Sequence, residues 1–460
     1  MTRHPETIIM ENKKEWTRLM SMTAEQIRNL VVGLDEEVLL ADGSRRPLIN
    51  FDNAATTPAF KPVLETVCRE LAMYGSIGRG FSRKSDYSTD LVESVRMKIL
   101  RFVGAEPDEY TCFFANNATD GLNKLASALI TDPDDVVLTT RMEHHSNDLP
   151  WRERCRVLYA ETDKNGRIDY DEIEKLLQEN DVKYVTVTAA SNVTGYITDI
   201  HRVAGLAHKY DAKIIVDGAQ IISHRNISML GDTPEEDLDF FVFSSHKMYA
   251  PFGSGAVVGL KSVLNNHRPA VRGGGTVWIV ADDWQRYKDA PAVYEAGSPN
   301  YPGIAALGKA IDMLSEIGYD SIFNHEQLLM KKLLDGLKRF DDVILYGDAE
   351  DISGRVGVVS FNFPGINSYF LAQTLSEKCA IATRRGAFCA HPYVWRLMDI
   401  PYDDLSGFVK CDDANTPGMV RVSFGIYNTE EEVDRFLQGL SDIKEEARLR
   451  TEESPYHHNF

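Results

Sequence analysis

Leu238-Asp239-Phe240-Phe241-Val242-Phe243-Ser244-Ser245-His246-Lys247 decides how the rest of the chain is read. The run 238–243 is almost wholly apolar, aromatic and β-branched, the make-up of an enclosed strand. It stops at small polar residues, and Pro251, Gly253 and Gly255 punctuate a loop before a second apolar strand over 256–260. Lys247 therefore falls just past a strand end, on a loop held by core elements. An amine there is partly desolvated, which lowers its pKa and frees it for Schiff-base chemistry. Taken alone, the stretch reads more readily as a surface lysine that follows a strand. The other strand ends reverse that.

Upstream the pattern repeats as strand, loop and amphipathic helix. Strands are predicted over 110–114, 136–139, 156–159, 184–188 and 213–216, and helices over 121–130 and 203–210. This alternation predicts an α/β fold, a mostly parallel sheet with helices on both faces. Ligands gather at the carboxyl ends of such strands. Those ends carry Ala118, Thr119 and Asp120, then Glu143-His144-His145-Ser146-Asn147, Ser191-Asn192, Asp217-Gly218-Ala219-Gln220, and Ser244, His246 and Lys247. Each residue alone is an ordinary cap or turn residue. Their shared position makes one common pocket the better reading.

Pyridoxal 5'-phosphate is the chemistry that fits this set. Its aldehyde needs a lysine, its ring nitrogen a carboxylate, and its phosphate a helix N-terminus with hydroxyls. Lys247 supplies the amine and Asp217 the carboxylate. Thr119, Ser244 and His246 suit the phosphate, His144 the ring face, and Asn192 and Gln220 the ring oxygen.

The remaining sequence narrows the class. With 460 residues the chain has room for two domains. A net charge of −19 argues against nucleic acid and against an anionic membrane surface. No apolar run reaches transmembrane length, and residues 1–16 are polar and charged, unlike a secretory signal. Cys68, Cys112, Cys155, Cys379, Cys389 and Cys411 are scattered without zinc spacing, so no metal site is expected and a reducing cytoplasm is. Residues 1–48 read as one or two helices and a short strand, with a capped helix start at 21–25, a turn at Asp42-Gly43, and the role of an arm packed on a second domain or partner subunit. At 50–58 small residues crowd before Pro58 opens a helical stretch, a segment that lets backbone approach a ligand.

These residues resemble the fold type I pyridoxal-phosphate enzymes of aminotransferase class V, the cysteine desulfurases and selenocysteine lyases. The resemblance rests on Asp52-Asn53-Ala54-Ala55-Thr56, the His144, Asn192 and Asp217 segments, and Ser244-Ser245-His246-Lys247, and it runs from about residue 50 to 430. It implies a large cofactor-binding domain over 50–305 and a small α+β domain from 1–49 with 306–460. Glu295-Ala296-Gly297-Ser298-Pro299-Asn300 resembles the loop that reaches the neighbouring subunit's cofactor phosphate, which implies a homodimer with Ser298 in the hydroxyl's role. The segment 381–392 resembles the loop whose cysteine takes the substrate's sulfur, which points to Cys389 as that thiol. Arg421 resembles the arginine that grips the substrate carboxylate, with Ala54, Asn192 and Arg384 beside the substrate.

The implied activity removes sulfur or selenium from L-cysteine or a related amino acid through an enzyme persulfide, with Lys247 moving the Cα proton and a possible protein acceptor for the sulfur. A C–S lyase, an epimerase or another class V enzyme without a persulfide is the alternative, and a non-catalytic scaffold a more distant one. Three departures bear on the choice. Asn117-Ala118-Thr119 lacks one hydroxyl of the usual phosphate turn, Gly78-Arg79-Gly80-Phe81 lacks a histidine, and 31 residues (390–420) separate Cys389 from Arg421, more than the desulfurase pattern leads one to expect. The extra stretch, 393–419, carries Trp395, Tyr402, Phe408 and an acidic run, and reads as a lid that changes the substrate or the sulfur acceptor.

Overall fold

The structure, a computed structural model, describes residues 22–78, 80–163, 165–401, 403, 407 and 416–453. Arg79, Tyr402, Phe408, Cys411 and residues 1–16 lie outside the described residues.

Seven strands form the central sheet: β1 (Tyr110–Ala115), β2 (Val136–Thr140), β3 (Arg156–Ala160), β4 (Tyr184–Thr188), β5 (Lys213–Asp217), β6 (Phe240–Ser244) and β7 (Gly255–Leu260). Their spatial order is β1-β7-β6-β5-β4-β2-β3. From β6 to β3 all neighbours are parallel. Only β7 is reversed, antiparallel to both β6 and β1. The ten residues between β6 and β7 are too few for a parallel crossover, so the chain turns back on itself. The carboxyl ends of β1, β2, β4, β5 and β6 therefore open on one edge.

The continuous apolar runs reflect burial on both faces. Val137, Ile215, Val242 and Val257 face one core, while Leu138, Ile214, Val216, Phe241 and Val258 face the other. Helices cover each side: α1 (Ala24–Asn29), α2 (Lys61–Ala72), α3 (Arg83–Phe102), α4 (Ala118–Leu129), α5 (Tyr170–Glu179), α6 (Ile200–Lys209) and α7 (Tyr301–Ile317). Asp169 and Asp199 cap α5 and α6 by accepting backbone N–H bonds from their first turns. α4 lies directly on the sheet at Gly121, where a Cβ would meet Val242 and Val257 at 2.8 Å. That close approach sets the α4 N-terminus beside the end of β6.

A second sheet, β8 (Ile344–Tyr346), β9 (Val358–Asn362), β10 (Arg384–Gly386) and β11 (Met419–Ser423), is antiparallel in the order β8-β9-β11-β10. Its core joins Phe361, Val420 and Val422 to Leu333 of α8 (Tyr319–Leu337), Leu375 of α9 (Ser368–Cys379) and Phe436 of α11 (Glu430–Glu453). Between α9 and α11 lies α10 (His391–Leu397), the described start of the longer stretch. The arm meets both parts of the chain: Ala41 N donates to Glu377 O of α9 at 2.8 Å, and Ile49 pairs in parallel with Ile381 and joins the core of the small sheet. Ile27 and Val31 pack into the core of the large sheet, although Arg28 also pairs with Glu432 of α11 at 2.8 Å. Its helix is capped by Thr23, inside the predicted start at 21–25, and the capping box pairs Thr23 with Gln26.

Candidate active site

The strand ends do converge on one pocket. Ala54, Ala118, Thr119, His144, Asn192, Asp217, Gln220, Ser244, His246, Lys247, Arg384, Cys389 and Arg421 all line it. Ser298 does not. It lines a separate concavity with Asn116, Lys124 and Glu295.

Lys247 sits in a single 3-10 turn, Ser245–Lys247, that begins where β6 ends. Burial pushes its amine down from 10.5 to about 8, against the opposing pull of the Asp217 carboxylate. The ammonium donates to Gln220 Oε1 at 3.3 Å. Asp217 is 4% exposed at the end of β5, and one of its oxygens accepts the Ala219 N–H at 2.9 Å. Burial raises its pKa, opposed by that hydrogen bond and by the charge of Lys247. A buried carboxylate in this setting suits a cationic N–H partner.

The α4 N-terminus closes one side. Asn117 caps it by accepting from Asp120 N, and Ser244 Oγ accepts the Ala118 N–H at 2.7 Å. Thr119 Oγ1 and Ser146 Oγ share a hydrogen bond of 2.7 Å. Ser146 also lines the pocket, so it brings a second hydroxyl beside the turn where Ala118 has none. Sequence reading left Ser146 without a role, because its place beside α4 depends on how the next loop folds.

That loop is held from beneath. Glu143 accepts from Thr140 Oγ1 at 2.7 Å and from Asn147 Nδ2 at 2.6 Å, Thr186 Oγ1 donates to Asn147, and the indole of the buried Trp151 donates to Asn147 O. Burial pushes the Glu143 carboxyl up to about 8 despite these bonds. The result is a rigid presentation of His144, whose Nδ1 accepts the Ser146 N–H at 3.1 Å and thereby leaves the neutral ring's proton on Nε2. Burial, helped by the charge of Lys247, lowers His144 to about 3. Burial likewise lowers His246 to about 4. Both rings are neutral near pH 7.

The opposite wall comes from the small sheet. Arg421 and Arg384 face each other across β11 and β10, a costly juxtaposition of like charges. Asp52 relieves it, 2.9 Å from Arg421 and 3.7 Å from Arg384. Arg421 also donates to Asn192 O at 2.9 Å and lies over the Phe388 ring at 4.7 Å. Its Nε has no hydrogen-bond partner among the described residues, although it is buried. A buried N–H of that kind is matched by an incoming carboxylate. Phe388 and Cys389 both adopt left-handed backbone, φ +52° and +54°, costly for side-chain-bearing residues. Asn192 Nδ2 donates to Phe388 O and His145 N to Cys389 O, both at 2.7 Å, and hold this turn in place. Asp52 and Phe388 are the parts of this wall that sequence reading left without a role.

Glu295, which begins the Ser298 loop, grips Arg96 through two bonds of 2.8 and 3.0 Å and accepts the Phe114 N–H at 2.7 Å. The loop is thus anchored to β1 while Ser298 stays away from its own pocket.

A half-buried lysine and a buried carboxylate at the strand ends of an α/β sheet thus face an arginine of the second sheet and a thiol on the turn that follows its edge strand. The family model for aminotransferase class V matches residues 49–436. A probable cysteine desulfurase of Halalkalibacterium halodurans is 33% identical over 92% of this chain and 98% of its own. A cysteine desulfurase of Haloferax volcanii is 31% identical over 88% and 91%. The apo structure of a cysteine desulfurase from Thermococcus onnurineus superposes with a TM-score of 0.77 at 30% identity, covering 86% of this chain and 94% of that one. The chain belongs to the aminotransferase class V family, and it is a cysteine desulfurase-like enzyme.

Proposed function

We propose that the chain removes sulfur from L-cysteine, with pyridoxal 5'-phosphate as cofactor and a persulfide on Cys389. The observation that carries this reading is that Lys247, Arg421 and Cys389 line one pocket. The residues present suit the cofactor. Lys247 and Asp217 match its aldehyde and ring nitrogen, and the α4 N-terminus with Thr119, Ser146 and Ser244 matches its phosphate. When bound, it would supply an electron sink for the substrate's Cα bond. The neutral His144 ring, which lines the same pocket, would cover one face of the cofactor ring. Arg421 holds the substrate carboxylate through Nε–H, and Lys247 Nζ takes the Cα proton and returns it. The Cys389 thiolate attacks the substrate sulfur, forming an S–S bond as the C–S bond breaks and alanine leaves. The division into 50–305 and 1–49 with 306–460 places the cofactor residues on one part and Cys389 with Arg421 on the other.

A homodimer fits two features. A hairpin of Val277–Val280 with Gln285–Tyr287 exposes Trp278, Ile279, Val280 and Trp284, an apolar face that a second copy would cover. Ser298, remote from its own pocket, is free to serve the other copy's. Among the described residues no helix is long and apolar enough to cross a membrane. Cys68, Cys112, Cys155, Cys379 and Cys389 are all free, which agrees with a cytoplasmic setting and leaves Cys389 open to pass sulfur to an acceptor protein.

Asp217→Asn is expected to keep the cofactor bound and to cut turnover about a hundredfold, the scale of losing one partner of a buried ion pair. Turnover of the fully loaded variant checks this, and a near-normal rate refutes the role. The reaction itself is tested by giving the protein L-cysteine and a thiol reductant. Alanine and sulfide in equal amounts are expected, whereas pyruvate in place of alanine overturns the desulfurase reading in favour of a C–S lyase.

A further inference from the structure

Behind the pocket, a buried histidine and glutamate take no part in the chemistry described above. His224 follows β5 by one 3-10 turn, and Glu326 lies on α8. His224 is 6% exposed, Glu326 0% and Gln220 4%. His224 Nδ1 is 2.6 Å from Glu326 Oε1, and His224 Nε2 is 3.3 Å from Gln220 Nε2. Gln220 Oε1 is in turn the acceptor for Lys247.

The ends of this chain of contacts give it a direction. A lysine ammonium only donates and a carboxylate only accepts. With its oxygen turned to Lys247, the Gln220 amide presents N–H to His224, so His224 Nε2 must carry the lone pair. The ring proton then sits on Nδ1 and is donated to Glu326. Each bond runs the same way, from Lys247 through Gln220 and His224 to Glu326. The second Glu326 oxygen accepts the Gly357 N–H at 3.4 Å, which ties the carboxylate to the strand region of the small sheet. The other titratable groups that interact with Glu326 are Arg225 and Tyr249. Those that interact with Lys247 include Asp217, Arg421, Cys389, Asp52, His144 and His246.

We infer that His224 and Glu326 are positioning residues that fix the Gln220 amide with its oxygen toward Lys247. Without them the amide is free to rotate, and the ammonium loses a fixed acceptor. The inference rests on Lys247 being the reactive amine. It is tested on the cofactor-free full chain, where the acylation rate of Lys247 at pH 7, below the pH at which half of the amine is free, is read by peptide mass spectrometry. His224→Ala is expected to raise that rate about fivefold, because a less stabilised ammonium leaves more free amine. Gln220→Ala is expected to do the same, and adding His224→Ala to it to change nothing further. His224→Gln, which keeps one acceptor toward Gln220 and one donor toward Glu326, is expected to restore the original rate. Glu326→Gln gives a second route to the same readout if the alanine variant fails to fold. Effects that multiply in the double variant, or a lowered melting temperature with an unchanged Lys247 rate, overturn the inference. The readout needs neither cofactor nor substrate, so a failure of the desulfurase reading would leave this result standing.

Discussion

Lys247→Ala is expected to lose turnover by about four orders of magnitude, the upper range for removing a group that moves a proton in the reaction. No neighbour can replace it. His144 and His246 are pushed far into the neutral range and His144 Nδ1 is already engaged by Ser146. Asp217 is held by the Ala219 N–H, and Arg421 is not a base at working pH. The amine is also the group that would hold the cofactor covalently. Borohydride treatment of the unmutated protein with pyridoxal 5'-phosphate should therefore fix its mass on the peptide bearing Lys247, and the variant should show none. Covalent fixation that survives the substitution would refute the assignment. The fold should tolerate the change, because the side chain lines a pocket and packs no part of the apolar core.

Cys389→Ser is expected to separate binding from sulfur transfer. Arg421 and Lys247 are untouched, so L-cysteine should still bind. Alanine formation should fall by about a thousandfold or more, the scale reached when a covalent nucleophile is removed. A serine hydroxyl stays protonated near pH 7, whereas a thiol is ionised to a few per cent and is intrinsically more nucleophilic. The thiol is exposed, and its turn is secured by backbone carbonyls accepting from Asn192 and His145 rather than by the sulfur, so serine should cost little stability. Product assays under saturating L-cysteine make the comparison, and unchanged alanine release would show that Cys389 is a bystander.

The large sheet and most of its pocket were legible because each strand is a short apolar run that ends in chemically distinctive residues. Leu238 to Lys247 is the clearest case, since burial on both faces allows no polar alternation and the break at Ser244 is abrupt. What escaped reading depends on contacts between residues far apart in the chain. Asp52 meets Arg421 across 369 positions, and His224 meets Glu326 across 102. Neither spacing leaves a periodic trace in the sequence. Ser146 escaped for another reason: a serine after two histidines looks like a turn residue until the Glu143–Asn147 network shows which way the loop faces.

The division of labour between the two sheets is tested most directly at the sulfur itself. The unmutated protein, loaded with cofactor and incubated briefly with L-cysteine, is digested without reductant, and the peptide bearing Cys389 is weighed. An added sulfur atom on Cys389, absent from the Lys247→Ala variant treated alike, is the result expected. Release of sulfide and pyruvate while Cys389 stays unmodified would contradict it.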